Sequence, residues 1–416
     1  MGLRGGGLGL GFVSTIILTR LMVPDDFGRF SVALTICSLV GLVSLCGLDH
    51  AAVRFVAEYN DDESRGLLAS FERWLNRTVL AVGVGAAACT MLITWLIAPQ
   101  WLTSSGLVLL VCGLPALNYV MVCRARLIAR GHAVKGQVAE QLLRPLVLIA
   151  GALIVWFWLA SSESLSPVQV GGIVLTTFVA MAIWQTIACR GHVTVGDAPT
   201  QPRQWFGVAL PLMIASGTLL LMNRTDLLLI AALMEDTSVA TYAVAIQVAT
   251  ALTLPLLATQ QAFSPQLVTA GKSDLAAKLP AVVQRVACIA GLTSLVLYGC
   301  LVLVLPFLLP IFGPTYTQAA PAIWILGGTI VVSAFLGPSG KVLGLNDRHN
   351  VMAILLGGAA LANVGFGLLF IPLWGLVGAA LSTTCSMLLW KVAAALIIKH
   401  RFGFLMPLSG RLHPHA

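Results

Sequence analysis

Three polar residues interrupt an apolar segment near the middle of the chain. Asn223, Arg224 and Asp226 lie within residues 206–234, where most other side chains are apolar. About 20 apolar residues span a bilayer, and an ionisable group inside such a span is costly enough to be a functional candidate. A buried carboxylate can bind a proton or a cation, and a guanidinium can bind two phosphate oxygens at once. We therefore start from these three residues.

Helical spacing decides which of the three could act together. Asn223 and Asp226 are three residues apart, and Ser216 lies seven residues before Asn223, so all three share one face of a regular helix. Arg224 would point about 160° away from Asp226 on such a helix. We therefore predict that Asp226 and Asn223 form a cavity surface or an ion-coupling site without Arg224. The alternative is a structural hydrogen bond between Asp226 and a neighbouring helix.

The composition indicates the environment of these residues. The chain has 416 residues, of which 58% are hydrophobic and 10% charged, and its mean hydropathy is +0.94. Soluble domains carry about 25% charged residues, so the sequence predicts an all-α polytopic membrane protein. The formal net charge of +8 fits a cytoplasmic excess of Lys and Arg and attraction to phosphate or lipid headgroups. It does not indicate a nucleic-acid partner.

About twelve transmembrane helices are predicted, in two sets of six. The apolar segments are 3–18, 31–48, 78–98, 104–123, 145–160 and 167–188, followed by 206–234, 241–262, 286–312, 321–342, 351–371 and 376–398. The corresponding domain prediction is an amino-terminal lobe (1–190), a cytoplasmic connector (191–205), a carboxy-terminal lobe (206–398) and a cytoplasmic tail (399–416). Prolines within the spans predict bends at Pro115, Pro211, Pro255 and Pro338.

Charge asymmetry gives an orientation. Of the 24 Lys and Arg residues, only Arg20, Arg29 and Arg224 fall on one side of the twelve-span topology, which predicts that both termini are cytoplasmic. With an even number of spans per half, the halves enter the membrane in the same sense, as a parallel repeat. Residues 19–42 and 219–247 support a repeat, because each runs from an Arg-bearing helix end through an acidic turn into an apolar helix.

Other residue types argue against enzymatic, metal or cofactor chemistry. Seven cysteines lie inside predicted spans, Cys123 and Cys189 lie at cytoplasmic ends, and no CxxC pair exists, which predicts small apolar filler without disulfides or zinc. The glycine-rich segment 5–11 lacks the preceding strand of a phosphate loop and indicates close helix packing. The acids predicted on the outer side are few and lie in short turns: Asp25, Asp26, Glu163, Glu235 and Asp236. The acidic cluster Asp61, Asp62 and Glu63 is predicted to solvate a cytoplasmic turn.

Four segments in fixed order resemble one family. They are Thr19-Arg-Leu-Met-Val-Pro-Asp-Asp-Phe-Gly-Arg-Phe, Asn223-Arg-Thr-Asp with Thr241-Tyr-Ala-Val-Ala, Leu305-Pro-Phe-Leu-Leu-Pro-Ile-Phe-Gly-Pro-Thr-Tyr, and Ile371-Pro-Leu-Trp-Gly-Leu-Val-Gly-Ala-Ala. This pattern is similar to the bacterial polysaccharide flippases of the O-antigen and oligosaccharide transporter type. Their superfamily also holds multidrug exporters and lipid II flippases. The resemblance implies two six-helix lobes around a central cavity.

The resemblance also implies a function. It is the transfer of an undecaprenyl-diphosphate-linked oligosaccharide across the bacterial inner membrane by alternating access, for O-antigen, capsule or exopolysaccharide biosynthesis. Candidate cavity residues are Arg20, Arg54, Asn223, Arg224 and Asp226, and Asp226 is also the candidate for coupling to a proton or sodium. For the arginines the alternatives are a positive-inside charge or a side chain that reaches the membrane interface. The implied partners are membrane lipids and a polysaccharide polymerase or assembly protein.

Two other functions remain open from the sequence. An ion-coupled multidrug exporter of the same superfamily would share the fold, but we expect it to gather acidic residues inside the membrane, where only Asp226 is a candidate. A membrane enzyme of the polysaccharide pathway would need acids or bases in a large outer loop. No nucleotide-binding motif is present, so ATP is not the expected direct energy source.

Overall fold

The structure is a computed structural model that describes residues 2–59, 64–97, 105–159, 164–190, 198–264, 266, 279–344 and 349–402. All regular secondary structure in these ranges is helical. Parts of four predicted features lie outside the described residues: the connector at 191–197, the tail from 403 onward, the Asp61–Glu63 cluster and the acid Glu163. These features stay predictions.

The chain forms two compact units, Met1–Gly217 and Thr218–Ala416. The helices of the first unit are α1 (Gly2–Leu21), α2 (Pro24–Leu45), α3 (Leu48–Glu58), α4 (Arg65–Ile97), α5 (Ser105–Cys112), α6 (Leu114–Ala129), α7 (Ala133–Val138), α8 (Arg144–Leu159) and α9 (Pro167–Cys189). A π-helical turn, Ala139–Leu143, joins α7 to α8. Helix α10 (Pro202–Met222) begins in the first unit and ends in the second.

The described residues of the second unit contain seven further α-helices. They are α11 (Thr225–Leu233), α12 (Asp236–Thr250), α13 (Leu254–Ala262), α14 (Leu279–Phe312), α15 (Ala320–Phe335), α16 (Ser339–Gly344) and α17 (His349–Phe402). Helix α17 consists of two helical segments that meet at Gly375, whose φ of 57° and ψ of −129° are not helical. The positive φ favours glycine at the bend, and the close approach of Gly378 to the Phe370 carbonyl favours glycine just after it.

The helices confirm the all-α polytopic fold. Ten described helical segments are long and apolar enough to cross a membrane. Two differences separate this number from the twelve predicted spans. The predicted span 206–234 is divided between α10 and α11, and the last two predicted spans fall on either side of Gly375 within α17. Both differences concern where a helix is interrupted rather than which residues are apolar.

The two units repeat the same succession of helices. A short turn joins α1 to α2, and another joins α11 to α12. The next helix is interrupted in both units, at Cys46–Gly47 after α2 and at the 3-10 turn Ala251–Thr253 after α12. A long helix follows in each unit, α4 and α14. The helix after that is divided again, into α5 and α6 or into α15 and α16. This order supports the internal repeat.

The beginning of α10 packs against the first unit. The Trp205 side chain is fully buried, and its ring centre lies 5.0 Å from that of Phe71 and 4.9 Å from that of Trp74. Gly47, with a φ of 73°, approaches the carbonyl of Ala209 so closely that a Cβ would lie 2.1 Å from that oxygen. Because of these contacts, the division between the units falls inside α10. The predicted lobe limits at 190, 205 and 398 stay predictions.

Candidate functional site

A buried carboxylate joins three helices of the second unit. Asp226 lies in the first turn of α11 and is 3% exposed. Its Oδ2 accepts a hydrogen bond of 2.9 Å from the Tyr242 hydroxyl on α12 and one of 3.2 Å from the Thr383 hydroxyl on α17. Its Oδ1 accepts a 2.8 Å bond from the backbone N–H of Leu227. Asp226 therefore links α11, α12 and α17.

The helix on which Asp226 lies is not continuous with the helix before it. Helix α10 ends at Met222, and Arg224 has φ −124° and ψ −12° before α11 starts at Thr225. The carbonyl of Met222 accepts a 3.2 Å hydrogen bond from Nδ2 of the buried Asn363 on α17. A side-chain amide thereby satisfies one of the carbonyls that a helix end leaves without an intrahelical partner.

This break corrects an expectation from helical spacing. The predicted stripe through Ser216, Asn223 and Asp226 assumed one regular helix, and that assumption is wrong because the backbone changes direction at residues 223–224. Asn223 is exposed, and the partners recorded for the Asp226 carboxylate are Tyr242, Thr383 and the backbone of Leu227. The Asp226 side chain therefore bonds to side chains of other helices.

Hydrogen-bond donors around Asp226 stabilise its carboxylate, and the carboxylate can bind a proton or a cation. Three hydrogen-bond donors point at its oxygens, and the amino-terminal end of α11 attracts negative charge. Arg224, two residues before Asp226 in the chain, adds a weaker electrostatic attraction. The carboxylate and the two hydroxyl oxygens are hard ligands of the kind that bind a proton or an alkali cation. No group of three or more His, Cys, Asp or Glu side chains suited to a metal occurs among the described residues.

The remaining candidate arginines lie in the first unit. Arg20 is exposed in the last turn of α1. Arg54 lies on α3, after the second predicted span, and its side chain is 61% exposed. The Arg54 Nε is 3.7 Å from a Glu58 carboxylate oxygen, and its guanidinium lies 5.9 Å from the centre of the Phe55 ring. Both arginines are thus exposed side chains of the first unit, while Asn223, Arg224 and Asp226 belong to the second.

A second buried polar cluster was missed by the sequence analysis. Arg126 and Arg130 on α6 share one carboxylate of Glu72 on α4, with the Arg130 Nη2 at 2.7 Å and the Arg126 Nε at 4.0 Å from Glu72 Oε1. Arg126 also donates a 2.5 Å hydrogen bond to Asn76. Both arginines had been assigned to a cytoplasmic loop as orientation charges. In the structure Arg126 is 5% exposed and packs between helices, where its guanidinium contacts Glu72 and Asn76 on α4.

Lys391 is another buried basic residue, and its count as a cytoplasmic charge stays a prediction. It is 5% exposed and lies within the second segment of α17. Its ammonium donates a 3.0 Å hydrogen bond to the carbonyl of Gly337 and lies 5.0 Å from the ring centre of Trp390. Gly337 has a positive φ of 75° between α15 and α16, so Lys391 satisfies a carbonyl that this helix interruption frees.

The chain is similar in structure to several transporters. An inward-facing multidrug resistance MATE family transporter of the MOP superfamily matches with a TM-score of 0.78 and 14% identity, over 96% of this chain and 94% of that chain. The lipid II flippase MurJ, inward closed, matches with a TM-score of 0.72 and 11% identity, over 94% and 86%. A MOP superfamily transporter from Pyrococcus furiosus matches with a TM-score of 0.61 and 14% identity, over 96% and 94%.

These similarities establish the fold, which is the one that the MATE transporter and MurJ share. No curated protein sequence matches the chain. The family described as "Polysaccharide biosynthesis protein" matches residues 3–270, which is more than half of the chain. The chain is a multi-pass membrane protein, and it belongs to this family of polysaccharide biosynthesis proteins.

Proposed function

We propose that the protein is a flippase that moves an undecaprenyl-diphosphate-linked oligosaccharide across the bacterial inner membrane by alternating access. The observation that carries this proposal is the family match over residues 3–270 in a chain with the fold of a lipid II flippase. The glycan would enter O-antigen, capsule or exopolysaccharide biosynthesis, and a polymerase or assembly protein would receive it. Both termini are cytoplasmic in this proposal, and the protein performs no catalysis.

The substrate determines what the protein has to provide. A sugar chain and a diphosphate cannot cross hydrocarbon without groups that replace their hydration, while the prenyl chain can remain in lipid. Arg20, Arg54 and Arg224 are the proposed diphosphate ligands, because a guanidinium can bind two phosphate oxygens. Arg54 is accessible for this purpose: it is 61% exposed, and an exposed pair such as Arg54–Glu58 stabilises a protein by only about 0–1 kcal/mol.

The energy source we propose is a proton or a sodium ion that binds at Asp226. The carboxylate holds α11, α12 and α17 together through Tyr242 and Thr383. A proton on Oδ2 would turn an acceptor into a donor, so the two hydroxyl hydrogen bonds would have to rearrange. A sodium ion would draw the same oxygens toward itself. In both cases occupancy changes how three helices of the second unit are held, which is what coupling requires. Asn223, which is exposed at the break between α10 and α11, is the proposed polar neighbour of this ion site.

Deletion of the gene in its native host tests the flippase proposal. We expect lipid-linked oligosaccharide to accumulate in the inner membrane and surface polysaccharide to disappear, because synthesis of the lipid-linked unit continues while its transfer stops. A plasmid copy of the wild-type gene should restore both. The assay measures labelled lipid-linked oligosaccharide and surface polysaccharide in the same cells.

The same strain distinguishes the multidrug exporter, which the similarity to MATE transporters keeps as the second candidate. An exporter of drugs would leave surface polysaccharide unchanged on deletion and would increase sensitivity to cationic dyes. Unchanged polysaccharide with increased dye sensitivity would therefore replace the flippase proposal by drug export.

A further inference from the structure

Two cysteines meet where α6 and α9 pack against each other. Cys123 on α6 is fully buried, Cys189 is the half-buried last residue of α9, and both are free thiols. The two thiol groups are in hydrogen-bond contact, and the Tyr119 hydroxyl also contacts Cys123. Thr186 on α9 donates a 3.4 Å hydrogen bond to the same Tyr119 hydroxyl. Contacts between polar groups of two helices therefore hold the sulfur atoms together.

The charge around these thiols is positive. Arg126 lies one helical turn after Cys123 and interacts electrostatically with both cysteines. The buried Arg126 and the partly buried Arg130 share the single carboxylate of Glu72. The Nε of Arg126 is buried and has no hydrogen-bond partner in the described part of the chain. Positive charge beside a cysteine favours its thiolate, which is the reactive form of the side chain.

We propose that Cys123 and Cys189 form a modification site, a dithiol that a peroxide converts into a reversible disulfide between α6 and α9. This inference goes beyond the proposed transport function and does not depend on it. The sequence analysis interpreted these cysteines as apolar filler, because nothing in a separation of 66 positions in the chain indicates that they touch. Disulfides in reducing compartments are mostly transient and redox-sensing, and a cytoplasmic position for this pair would make it one of these.

The reaction balances with hydrogen peroxide as the oxidant. The sulfur of Cys123, which accepts a hydrogen bond from the Cys189 thiol, attacks one peroxide oxygen, the O–O bond breaks, and the departing hydroxide takes the Cys123 proton and leaves as water. Cys123 is then a sulfenic acid. The sulfur of the half-buried Cys189 attacks that of Cys123, the S–O bond breaks, and the departing hydroxide takes the Cys189 proton as a second water. Two thiols are oxidised to one disulfide, and one peroxide is reduced to two waters.

The consequence is a covalent bond between two helices of the first unit. The other seven cysteines are free thiols at other places in the fold, so the disulfide is confined to this pair. Oxidation would fix the ends of α6 and α9 to each other, and thioredoxin-type reductants would release them by thiol–disulfide exchange.

The test uses the full-length protein in isolated membranes. Membranes are treated with hydrogen peroxide, free thiols are blocked with N-ethylmaleimide, and the denatured protein is reduced and labelled with a maleimide-linked polyethylene glycol. We expect two labels on the wild type, none on Cys123→Ser or Cys189→Ser, and two on the control Cys385→Ser. Wild type without label, or single-serine variants that still gain two labels, would overturn the proposal.

Two further measurements keep the test decisive. Peptide mass spectrometry of oxidised wild type should find the Cys123 peptide joined to the Cys189 peptide, and its absence after peroxide treatment would overturn the proposal even where a serine variant does not accumulate. Arg126→Gln should slow disulfide formation by about tenfold, whereas Arg126→Lys, which keeps the charge, should retain most of the rate. Equal rates in both Arg126 variants would refute the role of the charge.

Discussion

Ionisable side chains enclosed by helices define this protein at the scale of single residues. Asp226 receives three hydrogen bonds, whereas the ammonium of Lys391 has one recorded hydrogen bond, to the Gly337 carbonyl. Ionisable groups in membrane helices are costly, so each needs a compensating contact or a function. Lys391 has its contact at a helix interruption. Asp226 accepts hydrogen bonds from three helices, so a change of its charge would affect the contacts of all three.

Replacement of Asp226 separates a coupling role from a packing role. Asp226→Asn keeps the shape of the side chain and removes its charge, so we expect normal amounts of protein in the membrane and a fall in glycan export of about tenfold or more if occupancy by a cation drives transport. Asp226→Leu also removes the hydrogen bonds to Tyr242 and Thr383. Each such bond in a membrane stabilises by about 0.6–2 kcal/mol, so the leucine variant should accumulate less.

The measurement is surface polysaccharide per unit of membrane-inserted protein. Glu235→Gln is the matched control, because it removes an acid from the exposed start of α12 without touching the Asp226 contacts. Export by Asp226→Asn equal to that of the control would show that the carboxylate is structural only. Such a result would leave the flippase function intact and remove Asp226 from its mechanism.

The sequence could identify Asp226 but not its partners. A charged residue within an apolar segment is visible in any hydropathy analysis, and Asp226 was found in that way. Thr383 is 157 residues away in the chain, and its contact with Asp226 depends on the packing of α17 against α11. Arg126 and Lys391 were counted only as cytoplasmic-side charges, and their buried partners were not predicted. A basic residue near the end of a span looks the same in the sequence whether its side chain faces water or binds a buried partner.

At the scale of helices, the interruptions were partly predictable. Helix breaks adjoin Pro115, Pro255 and Pro338, because a proline is tolerated in the first turn of a new helix but cannot donate to the preceding one. Pro211 remains inside α10. The break at residues 223–224 contains no proline, and its free carbonyl is satisfied by Asn363 from another helix. That interruption depends on tertiary contacts and could not be predicted from local sequence.

The packing of α1 provides a matched pair of glycines for a test at this scale. A Cβ on Gly7 would lie 2.4 Å from Oε1 of Gln141 and 2.8 Å from its backbone oxygen, in the π-helical turn before α8. Nothing lies within 4 Å of a Cβ on Gly9. We expect Gly7→Ala to destabilise the protein by about 1–3 kcal/mol through overpacking. Gly9→Ala should be neutral or stabilising by up to about 1 kcal/mol, since alanine has the higher helix propensity.

Thermal unfolding in detergent and the amount of membrane-inserted protein measure this difference. Arg4 makes a neighbouring contact of the same helix: its Nε donates a 3.4 Å hydrogen bond to Oε1 of Gln137 on α7. If Gly7→Ala and Gly9→Ala were equally stable, α1 would not pack against the π-helical turn as the structure has it, and the interpretation of segment 5–11 as a packing surface would fail.

At the scale of the whole molecule, the sequence predicted the fold class and the order of helices. Apolar segments separated by short polar turns determine both, and the repeat between residues 19–42 and 219–247 corresponds to the shared succession of helices in the two units. The division between the units inside α10 was not predictable. It results from the contacts of Trp205 with Phe71 and Trp74, and aromatic residues at a helix start carry no signal about which unit they join.

Exposed tryptophans mark membrane–water interfaces, which occur on both sides of a membrane, so they agree with the predicted span ends but do not give an orientation. Trp95, Trp158, Trp324 and Trp374 are 47–81% exposed and lie at helix ends that the twelve-span topology places on the outer side. Tryptophan concentrates at membrane–water interfaces, where the ring is in the hydrocarbon boundary and the N–H reaches polar groups. The buried Trp205 and Trp390 and the partly buried Trp74 take part in helix packing instead.

The twelve-span topology with both termini in the cytoplasm predicts the side of the membrane on which each turn lies. Reporter fusions after Lys135 and Gln201 should report the cytoplasm, because basic residues surround both positions and the positive-inside rule retains them there. Fusions after Glu235 and Thr317 should report the outer side, since each turn follows a helix that leaves the cytoplasm in the twelve-span topology. A pair of reporters active on opposite sides, such as alkaline phosphatase and a fluorescent protein, gives reciprocal signals at every site.

Because α10 and α11 count as one crossing despite the break at 223–224, Gln201 and Glu235 must fall on opposite sides. If both report the same side, that pair of helices does not cross the membrane, every later helix is inverted, and the twelve-span topology is wrong.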